Sequence, residues 1–430
     1  MSAKDKLLIK GGRLLDPASN RDETADLLIV DGLVAEWGKL TASGQTEVID
    51  ADGLIVAPGL VDMHVHLREP GFEWKETILG GSQAAVAGGV TSMACMPNTN
   101  PTCDDVSVVS HILEKARQAA LARVFPIGAI TRGLKGERIT EMGLLTQAGC
   151  VGFSDDGMPV MNSLVMRRAL EYSKTFGALI IQHAEDHHLS QSGCMNEGVI
   201  ATRLGLPGIP AASETIMVER DIQLAEITGG RYHVAHISTG AAVKAVRRAQ
   251  KRGLPVSAEA APHHFALTEE AVLGYDTHAK MSPPLRTQAD REAVLEGLHR
   301  GDITVIATDH APHEPDAKRT EFCCAANGVV GLETLLAVSL ELVRDKVMTL
   351  SECLAAMTIH PARLLRLPAG IGTLEVGAPA DVVLFDPEER WRVEASQLHG
   401  TSKNTCFQGR RVQGRVKRTL LAGRTVYRDA

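Results

Sequence analysis

Eight short apolar runs through the middle of the 430-residue chain limit its fold more than any other feature. They cover residues 54–61, 90–96, 124–130, 150–153, 178–182, 232–235, 254–258 and 303–308, each with the length and composition of a buried strand. Helix-compatible stretches, residues 107–122, 162–175, 213–228, 241–252 and 288–300, lie between most of them. Strands that alternate with helices pair in parallel. Eight such units predict closure into an α/β architecture, a (β/α)8 TIM barrel of ~250 residues.

Both chain ends read differently. Short alternating segments at 7–10, 26–30, 380–385 and 419–427 are separated by Gly, Asp and Pro turns. Flanking the barrel on both sides, they are expected to meet as one discontinuous β domain, a small β-sandwich. The predicted division is 1–56 for the first part of that domain, 57–366 for the barrel and 367–430 for the second part. No internal repeat, linker or low-complexity segment interrupts the chain.

A formal charge of −7, from 45 Lys and Arg against 52 Asp and Glu, argues against a sequence-independent nucleic-acid surface. An anionic ligand must meet a local positive site instead. The eight cysteines are scattered and form no Cys-x-x-Cys pair, which suits reduced thiols in a cytosol. Met1-Ser2-Ala3-Lys4-Asp5-Lys6 lacks the apolar core of a signal peptide, and no apolar stretch approaches ~20 residues. A cytoplasmic, non-membrane protein is expected.

His64-Val65-His66 follows the first run, and alternation along a strand points both imidazoles the same way. Four more candidate ligands stand where other strands end: Asp156, His183, His236 and Asp309. In a barrel of this kind catalytic residues collect at that face. Four histidines and two carboxylates exceed what one zinc ion needs. The economical arrangement places His64, His66 and Asp309 on one ion, His183 and His236 on another, and a carboxylate across both. Asp156 is the candidate bridge and its neighbour Asp155 the rival; strand alternation does not choose between them. Such a pair of ions generates hydroxide near neutral pH and polarises a carbonyl, with Asp309 placed for proton transfer.

Around this centre Arg68, Asn98 and His313 form a possible anion clamp, since an arginine fork suits a carboxylate. His263-His264, His187-His188 and His310 are read as supporting or structural residues. Cys323-Cys324 is read as a loop feature, and 317–331, rich in small residues, as a mobile loop over the site.

The chain resembles the metal-dependent amidohydrolases and, within them, dihydroorotases of the bacterial class I type. The resemblance rests on Ala57-Pro58-Gly59-Leu60-Val61-Asp62-Met63-His64-Val65-His66-Leu67-Arg68-Glu69-Pro70-Gly71, continued by Glu73-Trp74-Lys75-Glu76-Thr77. Met96-Pro97-Asn98-Thr99, Phe153-Ser154-Asp155-Asp156-Gly157, His183-Ala184-Glu185-Asp186, His236-Ile237-Ser238-Thr239 and Ala307-Thr308-Asp309-His310-Ala311-Pro312-His313 follow in order.

That resemblance implies a zinc enzyme interconverting N-carbamoyl-L-aspartate and L-dihydroorotate in de novo pyrimidine (UMP) biosynthesis. It implies two zinc ions per subunit bridged by Asp156 and a hydroxide, with Asp309 as general acid and base. Arg68, Asn98 and His313 would hold substrate, with Ser282, Asn327 and Gly328 beside them. The family usually carries asparagine at the position of Ser282, and Asn327-Gly328 departs from its more familiar Pro-Gly or Phe-Gly. Dihydropyrimidinases, allantoinases and class II dihydroorotases bridge their metals with a carboxylated lysine, and residues 150–157 contain none.

Two other readings compete. One is a hydantoinase- or allantoinase-like hydrolase of a cyclic ureide, whose ring need not bear the carboxylate that Arg68 would clamp. The other is a non-catalytic structural partner of aspartate transcarbamoylase, a role associated with lost metal ligands; all six are present here. Association with that transferase, and a homo-oligomer, are implied by resemblance alone.

Overall fold

The structure is a computed structural model and describes residues 6–42, 44 and 46–429. Residues 1–5, most of the hexapeptide that argues against a signal peptide, lie outside the described residues. Eight strands pair in sequence order: Leu60–Val65, Val90–Cys95, Arg123–Gly128, Gly152–Ser154, Leu179–Gln182, Arg231–Val234, Val256–Ala260 and Val305–Ile306. Every neighbouring pair is parallel.

The ring closes just beyond the eighth strand. Val65 bridges to His310, and the His66 N–H donates to the His310 carbonyl at 2.8 Å. Thr308 adds its backbone N–H and its hydroxyl, donated to the Asp62 carboxylate at 3.1 and 2.5 Å. Burial pushes the Asp62 carboxyl up to about 7. Closure therefore draws together the ends of the two strands that carry His64, His66 and Asp309.

Helices Val106–Ala119, Ser163–Ser173, Ala212–Thr228, Gly240–Lys251 and Gln288–Arg300 fall in the stretches expected to be helical. Asp105, Asn162, Thr239 and Thr287 cap four of them by accepting early backbone N–H groups, which explains where those helices begin. Ile78–Ala87 was not signalled by periodicity, because small residues bury most of its circumference and no polar face remains.

The run 54–61, expected as one strand, is two. Ile55–Pro58 belongs to a second sheet, and Leu60–Val65 opens the barrel. Gly59 stands between them, where a Cβ would lie 2.2 Å from Thr91 Oγ1. The crossing of the two sheets thus admits no side chain.

The second sheet unites the chain ends in the order Arg424–Arg428, Arg411–Leu421, Val382–Arg392, Ile55–Pro58, Lys6–Asp16, Arg21–Val30 and Leu33–Gly38; Thr46–Asp50 also pairs with Lys6–Asp16. Segment 419–427, expected as a single strand, contains a turn at Ala422 and Gly423. Both have positive φ, 46° and 75°, the sense that suits a tight hairpin. Arg123 of the third barrel strand holds both oxygens of Asp381 at 2.7 and 3.1 Å, tying this sheet to the barrel. Among the described residues no helix is long and apolar enough to cross a membrane.

Candidate metal centre

His64 and His66 end the first barrel strand with ring centroids 5.5 Å apart. Their Nε2 atoms lie 3.4 and 3.3 Å from the two oxygens of Asp156, and 3.5 and 3.2 Å from Asp309 Oδ1. From the ends of the fifth and sixth strands, His183 Nδ1 and His236 Nε2 approach to 2.9 Å of each other. They stand 3.9 and 3.7 Å from Asp156 Oδ1. Two ligand groups result, His64-His66-Asp156 and Asp156-His183-His236, and Asp156 is common to both.

The adjacent carboxylates separate cleanly. Asp155 accepts the Thr131 N–H at 2.9 Å and also the Thr131 hydroxyl, securing the loop after the third strand. Asp156 alone faces the histidines.

These residues fit divalent cations. His64 Nε2 and Asp156 Oδ1 are buried and make no hydrogen bond within the protein. An unsatisfied buried polar atom costs about 1–3 kcal/mol, a penalty that a shared cation removes. Imidazole and carboxylate donors without thiolate suit zinc and its neighbours in the first transition row.

Supporting groups orient the imidazoles. His64 Nδ1 lies 2.6 Å from Glu259, and that carboxylate also meets His233 Nε2 at 3.2 Å. His183 Nε2 lies 2.8 Å from Glu185, and His66 Nδ1 lies 2.9 Å from Asn98 Oδ1. In each case one ring nitrogen is engaged and the other is directed at the cluster, the arrangement that sets a ligand's tautomer. Burial opposes charge on Glu259, yet His64 and His233 bring its carboxyl down to about 2. Sequence reading missed Glu259 as a functional residue. The available signal was a glutamate inside a buried strand, where an unpaired carboxylate is rarely found.

Asp309 is buried, which disfavours its charged form, but His66, His64 and His236 hold its carboxyl well below the ordinary range. Its φ is 49°, and Arg68 (61°) and His236 (30°) share this sparsely populated backbone region. Backbone strain of this kind concentrates at functional sites.

A cavity of about 530 Å³ opens above the cluster, lined by His66, Arg68, Asn98, Asp309, His313 and Ser282 among others. Arg68 Nε donates to the Pro312 carbonyl at 3.2 Å, leaving its outer nitrogens toward His313 Nε2 at 3.5 Å. Burial lowers the guanidinium to about 10, so it remains cationic at neutral pH. His313 Nε2 donates to the Asn327 carbonyl at 2.8 Å, and burial with the nearby Arg68 and Lys75 charges keeps the ring neutral. Gly328 has φ 124°, and a Cβ would lie 2.6 Å from the Ala311 methyl. Ser282 donates its hydroxyl to Glu185 at 3.1 Å, so it touches the support of His183 as well as the cavity.

Of the remaining histidines, His310 Nδ1 accepts the Gly331 N–H at 3.2 Å, His264 Nε2 donates to the Pro283 carbonyl at 3.0 Å, and His187 lines the cavity. The loop after the eighth strand, expected to be mobile, is held by two lysines. Lys318 Nζ donates to three carbonyls, those of Thr277, Lys280 and Ala326, and Lys280 Nζ donates to those of Cys323 and Ala325.

Residues 53–242 match the Dihydro-orotase-like family model, and residues 218–427 match that of the Amidohydrolase family. The chain is 54% identical to a dihydroorotase of Geobacter sp. strain M21, across 98% of this chain and 99% of that one. It is 52% identical to a dihydroorotase of Pelotomaculum thermopropionicum, across 99% of each. Among solved structures it resembles the L-hydantoinase (dihydropyrimidinase) of Arthrobacter aurescens, with TM-score 0.89, 26% identity and coverage of 99% of this chain and 96% of that one. Near-complete coverage at such identity, on a parallel barrel closed around this cluster, decides the assignment: the chain belongs to the dihydroorotase family of the amidohydrolases.

Proposed function

We propose that this protein is a zinc-dependent dihydroorotase that interconverts N-carbamoyl-L-aspartate and L-dihydroorotate in pyrimidine biosynthesis. The observation that carries the reading is one carboxylate, Asp156, shared by two histidine pairs beneath a cavity that also presents a cationic Arg68. His64, His66 and Asp309 would hold one zinc ion and His183 and His236 the other, with Asp156 common to both groups. Bound there, the ions supply Lewis acidity and an ionised water at neutral pH.

The protein's own groups do the rest. Ring closure joins a ureide nitrogen to one carboxyl carbon of the substrate as a C–O bond of that carboxyl breaks and its oxygen leaves as water, and the second carboxylate is untouched. Arg68 holds that second carboxylate, with His313 beside it and Asn98 fixing His66 below. Asp309, ionised and facing His66 and His64, takes the proton from the attacking nitrogen on closure and returns it on opening. Ser282 and Asn327-Gly328 shape the wall around the ring. The division into residues 1–56 and 367–430 for the β domain and 57–366 for the barrel rests on the sheet that joins both ends, although its strand Ile55–Pro58 carries that domain two residues past 56.

Hydantoinases share this fold, so the deciding experiment is turnover by purified, metal-analysed protein. Dihydroorotate is assayed beside dihydrouracil, hydantoin and allantoin. Turnover of dihydroorotate alone is expected. Preference for a ring without a carboxylate would overturn the proposal.

A further inference from the structure

Cys194 and Cys323 lie far apart in sequence, yet their sulfurs are 2.9 Å apart. Cys194 is buried and Cys323 exposed. Neither belongs to the metal cluster, and neither is needed to line the cavity. Each does, however, sit in a segment that frames the cavity mouth. Ser190, Gln191 and Gly193 line it on the Cys194 side, and Asn327 and Gly328 on the Cys323 side.

Each backbone has a local tie. The Cys194 N–H donates to the Pro207 carbonyl at 2.9 Å. Lys280 Nζ donates to the carbonyl of Cys323 itself at 2.8 Å, and this ammonium offsets part of the burial that keeps Cys194 a thiol. A disulfide of ~2.05 Å needs the sulfurs to close by less than an ångström.

We propose that Cys194 and Cys323 form a site of reversible thiol oxidation, which closes to a disulfide by exchange with a low-molecular-weight disulfide and braces the mouth of the cavity. Such a bridge in a reducing compartment is transient and sensing in character rather than structural. The exposed Cys323 attacks one sulfur of glutathione disulfide as thiolate. A Cys323–glutathione bond forms, the glutathione S–S bond breaks, and the leaving thiolate takes up the proton that Cys323 gave. Cys194 thiolate then attacks Cys323 Sγ; the mixed disulfide breaks, and the second glutathione departs with the proton of Cys194. Two protein thiols are oxidised and one glutathione disulfide becomes two glutathiones.

Burial pushes the Cys194 thiol up to about 12, and contact with Cys323 adds to the rise. The exposed partner is therefore the one that meets the reagent first, and loss of the Cys323 thiol removes part of the barrier to the second attack.

The test treats the intact, metal-loaded protein with glutathione disulfide and maps its peptides without reduction. A Cys194–Cys323 cross-linked peptide is expected, with two thiols lost and metal content unchanged. The activity readout rests on the dihydroorotase reading, whereas the peptide map stands without it. With the two walls braced, kcat/KM should fall roughly 3- to 10-fold and recover with dithiothreitol, as expected where ligand passage between loops limits the rate. Cys194→Ser and Cys323→Ser should each keep the activity of the reduced protein and abolish both effects, whereas Cys324→Ser should abolish neither. Glutathione remaining on Cys323 with Cys194 still free, or a Cys323–Cys324 pair, would overturn the site. A bridge that leaves kcat/KM unchanged would overturn its action on the mouth.

Discussion

His64 Nδ1 stands 2.6 Å from the Glu259 carboxylate, and both residues are sealed from solvent. That contact commits His64 Nε2 to the metal cluster. Replacing Glu259 by Gln keeps the shape but removes the charge that makes the imidazole a strong donor. Metal affinity, measured by competition with a chromophoric chelator, should fall about 10- to 100-fold. An unchanged affinity would show that packing alone orients His64.

Among the described residues, Asp309 is the only carboxylate besides Asp156 that lines the cavity and approaches both histidines of the first strand. Asp309→Asn should depress kcat by about 10²- to 10⁴-fold in both directions. Near-normal turnover in either direction would send the proton elsewhere.

Arg68 offers the cavity a guanidinium whose Nε is already committed to Pro312. Arg68→Met removes charge-assisted hydrogen bonds of about 1.5–3 kcal/mol, so KM for dihydroorotate should rise roughly 10- to 100-fold while bound metal is retained. A KM that does not move would remove the carboxylate clamp.

Asp221 is fully buried beside Arg220, and burial raises its carboxyl to about 6 despite that neighbour. The unfolded chain releases this proton near pH 4. Stability tied to the protonated form is therefore complete below that pH and is lost as pH rises to 6, with no further change above. Relative to Asp221→Asn, the parent should lose on the order of 3 kcal/mol across this window in denaturant melts. A difference that is flat with pH would show that Arg220 cancels the effect of burial.

The barrel was legible because its strands and several helix caps are local signals, as at Asp105 and Thr287. The choice between Asp155 and Asp156 was not, because only the approach of Thr131 from the loop after the third strand separates them. Glu259 escaped because its partner, His64, lies 195 residues away. Nothing local to Lys280 or Lys318 says that their ammonium groups hold the carbonyls of the loop after the eighth strand. The break at Gly59 was hidden by an apolar run that continues across it.

That break also bears on how the protein is made. Val56 pairs with Leu384, so about three quarters of the 430-residue chain intervenes between the strand just ahead of His64 and its neighbour in the second sheet. The first two ligands are synthesised early, but the strand leading into them gains this partner only once residue 384 has left the ribosome. Capture of metal by these groups is accordingly expected late in biogenesis, and truncation of the carboxyl end should disturb a centre from which those residues are absent.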